Sequence, residues 1–418
     1  MNSGLSPAEM PTPRARHAAL AAAALFLVNG ATFSNWLPRI PEIRDELGIG
    51  NAGLGVTLLG GGLGGIVGAL LVGRVSERLG SSWLLTIAAI TLSIGMPLIA
   101  FAPHAAVLMV LLTVLGTFDV FNDVAMNAQG VMAQEQLGRQ IMNRLHGMWS
   151  LGFTGGALVG SLARAGEIPI ETHLLAVGAV LLATTLVMRR WFIPFDPPPM
   201  PVIAVPEVPS MGDASDAARG ARRGPNGPMV AMSLAAIGAI ALEVAPADWS
   251  AVLLTDVFDA GRFGGLGTVV GAGAMLVGRL SGDHVLERIG EHRMMTGSMW
   301  LVAVGLAVTV TAPVTAVALV GLVIWGLGLA VIFPQLYATA ARLPGTSAAA
   351  GLGWMLLGQR FGSMLTAVSI GAISQWQGMR VAFAVVGGAA LMLLVVSLRR
   401  GRRAAQPPLT TPARTQPR

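Results

Sequence analysis

Long apolar runs recur along the whole chain, and they constrain its fold more than any other feature. A helix needs roughly 20 predominantly apolar residues to cross the hydrocarbon core of a bilayer. The composition agrees, because 54% of the 418 residues are hydrophobic and 11% are charged, whereas soluble domains are about 25% charged. The sequence therefore predicts an all-α membrane protein. Twelve runs long enough to span lie near 18–37, 52–73, 83–102, 105–132, 147–165, 173–191, 229–254, 263–281, 294–312, 315–341, 351–373 and 380–398.

The twelve predicted spans fall into two groups of six, separated by a Pro-rich polar stretch at the middle of the chain. We expect a six-helix half at 18–196, a cytoplasmic linker at 197–228 and a second six-helix half at 229–400. The flanking segments, 1–17 and 401–418, are polar. We expect both to be cytoplasmic tails, the second of them disordered.

Basic side chains are distributed unevenly between the two sides of the predicted bundle. All 27 are arginine; with the N-terminus in the cytoplasm, the cytoplasmic segments hold 21 of them and the opposite loops hold five. This asymmetry follows the positive-inside rule, so it predicts cytoplasmic termini in a multi-pass protein of the bacterial inner membrane. No basic stripe interleaves with aromatic residues, which argues against a nucleic-acid partner.

The absence of lysine and of cysteine removes several chemistries. Without lysine there is neither a P-loop lysine nor a Schiff base, and without cysteine there is no disulfide or thiolate metal site. No nucleophile–base pair or metal-ligand constellation stands out either. We therefore expect no enzymatic activity, no cofactor and no metal.

A short motif occurs once in each half, which indicates an internal repeat. Gly73–Gly80 reads GRVSERLG after the second span, and Gly278–Gly290 reads GRLSGDHVLERIG after the eighth. Both begin with Gly-Arg and end with Glu-Arg-x-Gly, and both are predicted to be cytoplasmic. A parallel repeat of six-helix units is a transporter design, in which the substrate binds between the halves.

The first motif resembles the signature loop of the major facilitator superfamily, in which a Gly is followed by an acidic residue four positions on, then Arg and Gly. Three further stretches are similar to the fucose-permease-like branch of that superfamily: Asp123–Asn127, Phe333-Pro334, and Ala247–Ser250 with Glu243 before it. The acidic residue of the first helix in that branch is missing here, where Ser34 and Asn35 stand. The resemblance implies a secondary transporter, usually proton-coupled, with a conformational lock in the signature loop. The gating residues it implies are Gly73, Glu77, Arg78, Gly80, Gly278, Arg279 and Asp283.

Carboxyl groups inside the predicted spans are the strongest candidates for proton coupling. Asp119 and Asp123 are four residues apart, so a helix places them on one face near mid-bilayer, where a charge costs roughly 3 kcal/mol or more. Asp123 is the first candidate, Glu243 the second and Asp119 the third; alternatively, the two aspartates hydrogen-bond to neighbouring helices as structural groups. We interpret Asp248 as a solvated residue at the outer end of the seventh span.

Arg360 is the one arginine placed inside a predicted span, so it needs an anionic neighbour. That neighbour is Asp123, Glu243 or an anionic group of the substrate, and we favour an internal carboxylate. Amides, indoles and a histidine inside the spans are candidates for binding the substrate, although indoles also serve as packing or interfacial anchors. With Arg360, the predicted substrate-binding residues are Asn35, Trp36, Asn127, His146, Trp149, Trp249, Gln335, Trp354 and Gln359.

These features predict a monomeric secondary active transporter that moves a small polar, sugar-like solute by alternating access and is coupled to protons. Its expected partners are that solute, protons and the lipid bilayer. The alternative is a drug or metabolite efflux antiporter driven by protons, which the Gly-rich fifth span and the methionine content favour. A non-transporting sensor or scaffold is disfavoured, because no folded soluble domain is predicted.

Overall fold

The computed structural model describes residues 12–194, 227–343 and 346–405. These residues are almost entirely helical, and no strand occurs among them. The predicted all-α class is therefore confirmed. Most of the predicted tails and linker lie outside the described residues.

The first half of the chain forms one bundle of helices. Its first helix begins at Pro13, earlier than the predicted start at 18, because the Thr12 hydroxyl accepts a hydrogen bond from the Ala15 amide and caps the helix. Proline at the first helical position is compatible with this start, since its missing N–H would be unpaired there anyway. The helices are α1 (Pro13–Ser34), α2 (Ile40–Glu46), α3 (Asn51–Gly95), α4 (Ala105–Leu137), α5 (Met142–Ala165) and α6 (Ile170–Met188).

The second half forms a second bundle, in which the predicted tenth span is divided into two helices. The division falls just before Phe333-Pro334, where proline removes a backbone donor. The helices are α7 (Gly227–Phe258), α8 (Leu266–Ile289), α9 (Glu291–Thr311), α10 (Thr315–Leu329), α11 (Ile332–Ala340), α12 (Ala348–Gln377) and α13 (Met379–Ala405).

Nine stretches of the described residues are long and apolar enough to cross a membrane. One of them, Asn51–Phe101, contains the second predicted span and all but the last residue of the third. Helices α5 and α12 have the length to cross but are less apolar, and they are not among the nine. The number of twelve spans and the cytoplasmic location of the termini stay predictions.

The two copies of the sequence repeat end in the same backbone conformation. Gly80 has φ 71° and ψ 160°, and it breaks α3 into two segments. Gly290 has φ 77° and ψ 159°, and it separates α8 from α9. Only glycine adopts these angles readily, so the Glu-Arg-x-Gly ending of each copy specifies a tight connection between two long helices.

Glycines spaced by four bring α3 and α4 into backbone contact. A Cβ atom at Gly60, Gly64 or Gly68 would collide with main-chain carbonyl oxygens of α4. The Thr117 hydroxyl donates a hydrogen bond of 3.1 Å to the Gly64 carbonyl across this contact. The glycines spaced by four in this helix therefore form a packing surface, as small residues at this spacing predict in membrane helices.

The bundles meet along two seams, α3 against α12 and α5 against α8. We call the face that carries Pro13 and Ala405 the proximal face and the opposite one the distal face. In the α3–α12 seam, Gly55 packs against Ala367 and Gly371, and Gly65 lies beside Arg360 further from the distal face. The hydrogen bonds that join the bundles cluster at the distal face, and the one that lies deepest links α5 with α8.

Candidate functional site

A group of charged side chains lies between the bundles, about halfway between the proximal and the distal face. Asp119 and Asp123 of α4 are both partly accessible although they lie deep in the protein. Asp119 accepts a hydrogen bond of 3.3 Å from the Asn29 amide of α1, and Trp149 of α5 donates one of 2.7 Å to the Asn29 oxygen. A chain of hydrogen bonds therefore links α5, α1 and α4 and fixes the Asp119 carboxyl.

Asp123 has a different and more local environment. Its carboxyl accepts a hydrogen bond of 3.1 Å from Asn127, one turn further along α4. The side chains from other helices that act on it electrostatically are His146 of α5 and Arg360 of α12. Asp123 is thus a carboxyl deep in the protein that is held by its own helix, with His146 of one bundle and Arg360 of the other nearby.

Arg360 lies against α3, because Gly65 has no side chain. A Cβ atom at position 65 would be 2.7 Å from the Arg360 Nη1 atom. The Arg360 charge acts on the carboxyl groups of Asp119 and Asp123. Within the described part of the chain, its guanidinium makes no direct ion pair, so its donors are available to a ligand.

Glu243 of α7 lies beside a different arginine. Its carboxyl is 3.8 Å from the Arg279 Nη2 atom of α8, and the Arg279 Nη1 atom donates a 3.2 Å hydrogen bond to the Ser150 hydroxyl of α5. This group borders a small cavity of about 50 Å³ between α5, α7, α8 and α10. Trp149 and Phe153 stack with ring centroids 5.4 Å apart and form an aromatic wall of the cavity.

Several predicted substrate-binding residues lie near these charges. The Tyr337 hydroxyl of α11 is 3.5 Å from the Gln359 oxygen, and the charges of Asp123 and Glu243 both act on it. Gln335 is 6% exposed, and neither of its side-chain polar atoms has a partner among the described residues. Trp354 is half-buried. The structure therefore gathers groups from α1, α4, α5, α11 and α12 that can donate to or accept from a polar ligand.

Three predicted lining residues belong to the packed interior instead. Asn35 donates to the Ala31 carbonyl and contacts His173 at 3.3 Å, so its polar groups serve the distal end of the first bundle. Trp36 and Trp249 are 4% and 0% exposed and belong to the hydrophobic core. Their large apolar rings fill space between helices, and they do not line the cavity.

The predicted gating residues are helical, which corrects their assignment to loops. Gly73, Glu77 and Arg78 lie in the first segment of α3, and the break comes only at Gly80. Gly278 and Arg279 lie inside α8, so Arg279 reaches Glu243 rather than a loop. The Asp283 side chain lies outside what the structure describes. The gating role of these residues stays a prediction.

The interpretation of Asp248 as a solvated residue at the outer end of the seventh span misplaces it in the helix. It lies ten residues before the end of α7, which continues to Phe258. Ser150 and Tyr337 were missed by sequence reasoning. Tyr337 is the single tyrosine of the chain and follows Phe333-Pro334 by one helical turn, a signal that was present in the sequence.

Comparison with known proteins identifies the class to which this fold belongs. The family model described as Transmembrane secretion effector matches residues 7–199, and the Major Facilitator Superfamily model matches residues 263–418. An uncharacterized MFS-type transporter of Yersinia pestis is 27% identical over 381 residues, which cover 89% of this chain and 92% of that protein.

Solved structures agree with this class. A mutant of the nucleoside transporter NupG has a TM-score of 0.72 at 13% identity, covering 92% of this chain and 99% of that one. A mutant of the E. coli Fucose:proton symporter FucP has a TM-score of 0.61 at 13% identity, covering 93% and 98%. The protein is a helical membrane transporter, and the chain belongs to the major facilitator superfamily. The resemblance is thus confirmed for the superfamily, while these structural likenesses define the fold alone.

Proposed function

We propose that the protein is a monomeric secondary active transporter of the bacterial inner membrane, which moves a small polar, sugar-like solute by alternating access and is coupled to protons. The observation that carries this proposal is the grouping of Asp119, Asp123 and Arg360 at the interface of the bundles. Carboxyl groups deep in a membrane protein are costly, and they commonly mark ion or proton pathways.

Asp123 is the better candidate for the coupling proton. Asp119 is already fixed by the hydrogen-bond chain through Asn29 to Trp149. Asp123 depends on Asn127 of its own helix, so it can exchange a proton without breaking a bond between helices. His146 and Arg360, which both act on Asp123 electrostatically, come from different bundles, so the charge state of Asp123 can bias the relative position of the bundles.

The polar groups around these carboxyls suit a solute with several hydroxyl groups. Asn127, Gln359 and Tyr337 offer both donors and acceptors, and the guanidinium of Arg360 adds directional donors. Small-molecule sites typically combine an apolar or aromatic wall with a few placed polar groups. The stacked rings of Trp149 and Phe153 supply the aromatic wall.

The test begins with a thermal-shift screen of the purified protein against sugars, nucleosides, sugar acids and common efflux drugs, because a ligand stabilises the folded state it binds. The strongest binder is then used in proteoliposomes. We expect Asp123→Asn to reduce accumulation driven by a pH gradient at least tenfold and to preserve solute exchange without a gradient. Glu135→Gln, at an exposed position of the same helix, serves as the control and should accumulate solute normally. Undiminished accumulation by Asp123→Asn would remove Asp123 from the coupling site.

A second candidate function is efflux of drugs or metabolites by a proton antiporter. It is supported by the secretion-effector model over residues 7–199 and by the glycines of α5. A deletion strain should then become sensitive to at least one class of toxic compound. Unchanged resistance across a broad panel, together with binding of sugars alone, would rule against efflux.

A further inference from the structure

Two tryptophans at the proximal face of the first bundle each carry an arginine guanidinium against the ring. The Arg189 Cζ atom lies 4.3 Å from the ring centroid of Trp83, which belongs to the second segment of α3. The Arg190 Cζ atom lies 4.8 Å from the ring centroid of Trp191. His17 of α1 stacks on Trp191, with ring centroids 5.3 Å apart and 18° between the ring planes. We call these five residues the proximal cluster, which joins α1, α3 and the end of α6.

The turn that carries the two arginines is held against the bundle. Arg189–Trp191 form a 3₁₀ turn directly after α6. The next residue, Phe192, is buried. Ile193 exchanges two hydrogen bonds with the Gln129 side chain of α4, 2.8 Å from its amide and 2.9 Å to its carbonyl. The fold therefore fixes the backbone of this turn, and the two indoles orient the guanidiniums.

The arginines of the proximal cluster have no carboxylate partner in the described part of the chain. At the distal face, three arginines bind carboxylates, in the pairs Arg39–Glu42, Arg44–Asp256 and Arg262–Glu167. Arg189 makes no hydrogen bond to a described residue, and Arg190 donates to the Val187 carbonyl of its own turn at 2.8 Å. Arg14 and Arg16 of α1 are exposed at the same face, and neither forms an ion pair with a described residue. This surface therefore carries excess positive charge that an anion can neutralise.

The proximal cluster lies at the level expected for lipid headgroups. Trp83 is 56% exposed and follows Gly80 at the proximal start of the second segment of α3, and indoles favour this interfacial level. An indole that is only an interfacial anchor needs no cation on its ring, yet both of these indoles hold one. One helical turn from the cluster, Ile87 of α3 and Leu186 of α6 are exposed apolar side chains. The site thus has a cationic part at the interface and an apolar part beside it.

We propose that the proximal cluster binds the headgroup phosphate of an anionic phospholipid from the leaflet at the proximal face. The guanidiniums of Arg189 and Arg190 donate to the phosphate oxygens, because their planar forks suit this group. The acyl chains lie along the exposed apolar side chains of α3 and α6. The proximal face is predicted to be cytoplasmic, and basic pockets between helices on that side typically bind anionic lipids. This inference depends neither on the proposed transport activity nor on its solute.

The test measures lipid binding to the purified full-length protein in detergent by native mass spectrometry. Phosphatidylglycerol is compared with phosphatidylcholine of the same acyl chains, since both contain a phosphate but only the first has a net negative charge. We expect phosphatidylglycerol to bind about tenfold more tightly. Arg189→Gln combined with Arg190→Gln should remove this preference.

Trp83→Leu tests the role of the ring without removing a charge. Leucine keeps an apolar contact at this position but gives Arg189 no aromatic face. We expect the affinity for phosphatidylglycerol to fall about threefold, the effect of losing one exposed cation–π contact. An unchanged affinity would show that the indole does not position the guanidinium for the lipid.

Arg288→Gln combined with Arg293→Gln is the matched control. These two arginines are exposed at the proximal face of the second bundle, on either side of Gly290, so the control removes the same charge. It should change the affinity for phosphatidylglycerol less than about twofold, because general surface charge is not the proposed cause of binding.

Three outcomes would refute the lipid site. Equal affinities of the parent protein for the two lipids would show that the cluster does not select an anionic headgroup. A loss in the control as large as that in the variant without Arg189 and Arg190 would attribute binding to general surface charge. Displacement of phosphatidylglycerol by millimolar inorganic phosphate would assign the cluster to a soluble phosphate compound instead. Because no solute or pH gradient is present, each outcome leaves the proposed transport function standing.

Discussion

Gly65 determines where the Arg360 guanidinium lies. A methyl group at this position would meet the end of a flexible side chain, so Arg360 can move aside at little cost in folding free energy. We expect Gly65→Ala to keep the melting temperature within a few degrees and to lower solute affinity about tenfold, because the guanidinium leaves Asp119 and Asp123.

Gly61 of the same helix gives the matched control, since an added methyl group there meets nothing within 4 Å. Gly61→Ala carries the same gain in helix propensity without touching Arg360. Equal solute affinities of the two variants would show that the position of Arg360 does not affect solute binding. Both are measured by isothermal titration with the ligand that the thermal-shift screen finds.

At the scale of the helices, the break in α3 depends on one residue. Gly80 has φ 71° and ψ 160°, a region in which a side chain costs about 1–3 kcal/mol. We expect Gly80→Ala to lower the free energy of unfolding by that amount and Gly290→Ala to do the same in the second bundle. Gly73→Ala, inside the helix with open space around it, should have no such cost. Chemical denaturation in detergent measures the free energy of unfolding of all three variants. An unchanged value for Gly80→Ala would show that the connection tolerates other backbone angles.

The sequence predicts the helices and their connections better than it predicts which side chains contact one another. Apolar length predicted where most of the long helices lie, and the Glu-Arg-x-Gly repeat predicted the glycines that connect them, because both signals are local. The direction in which a side chain points depends on residues far away in the sequence. Trp36 and Trp249 are of a residue type that often lines binding sites, but they fill the core. Arg44 and Asp256 are 212 residues apart, and Arg279 meets a serine of the other bundle. Such pairs exist only once the two bundles are docked.

For the whole molecule, the two seams predict that transport requires the distal ends to separate. The Ala52 amide donates to the Gln375 side chain at 3.4 Å across the α3–α12 seam. We expect a short bifunctional thiol reagent to cross-link Ala52→Cys with Gln375→Cys and to abolish transport. Solute binding from the proximal side should persist, because the cross-link only fixes the distal closure that the protein already has.

A cross-link inside one bundle is the appropriate control for this prediction. The Gln129 amide donates to the Ser81 hydroxyl at 2.9 Å within the first bundle, so the pair Ser81→Cys and Gln129→Cys joins helices that move together. Transport should survive this cross-link. Transport that continued with the Ala52–Gln375 positions joined would mean that the bundles do not part at the distal face. Loss of both transport and solute binding in the protein cross-linked between positions 52 and 375 would contradict this prediction, because fixing the distal closure should leave the proximal entrance open.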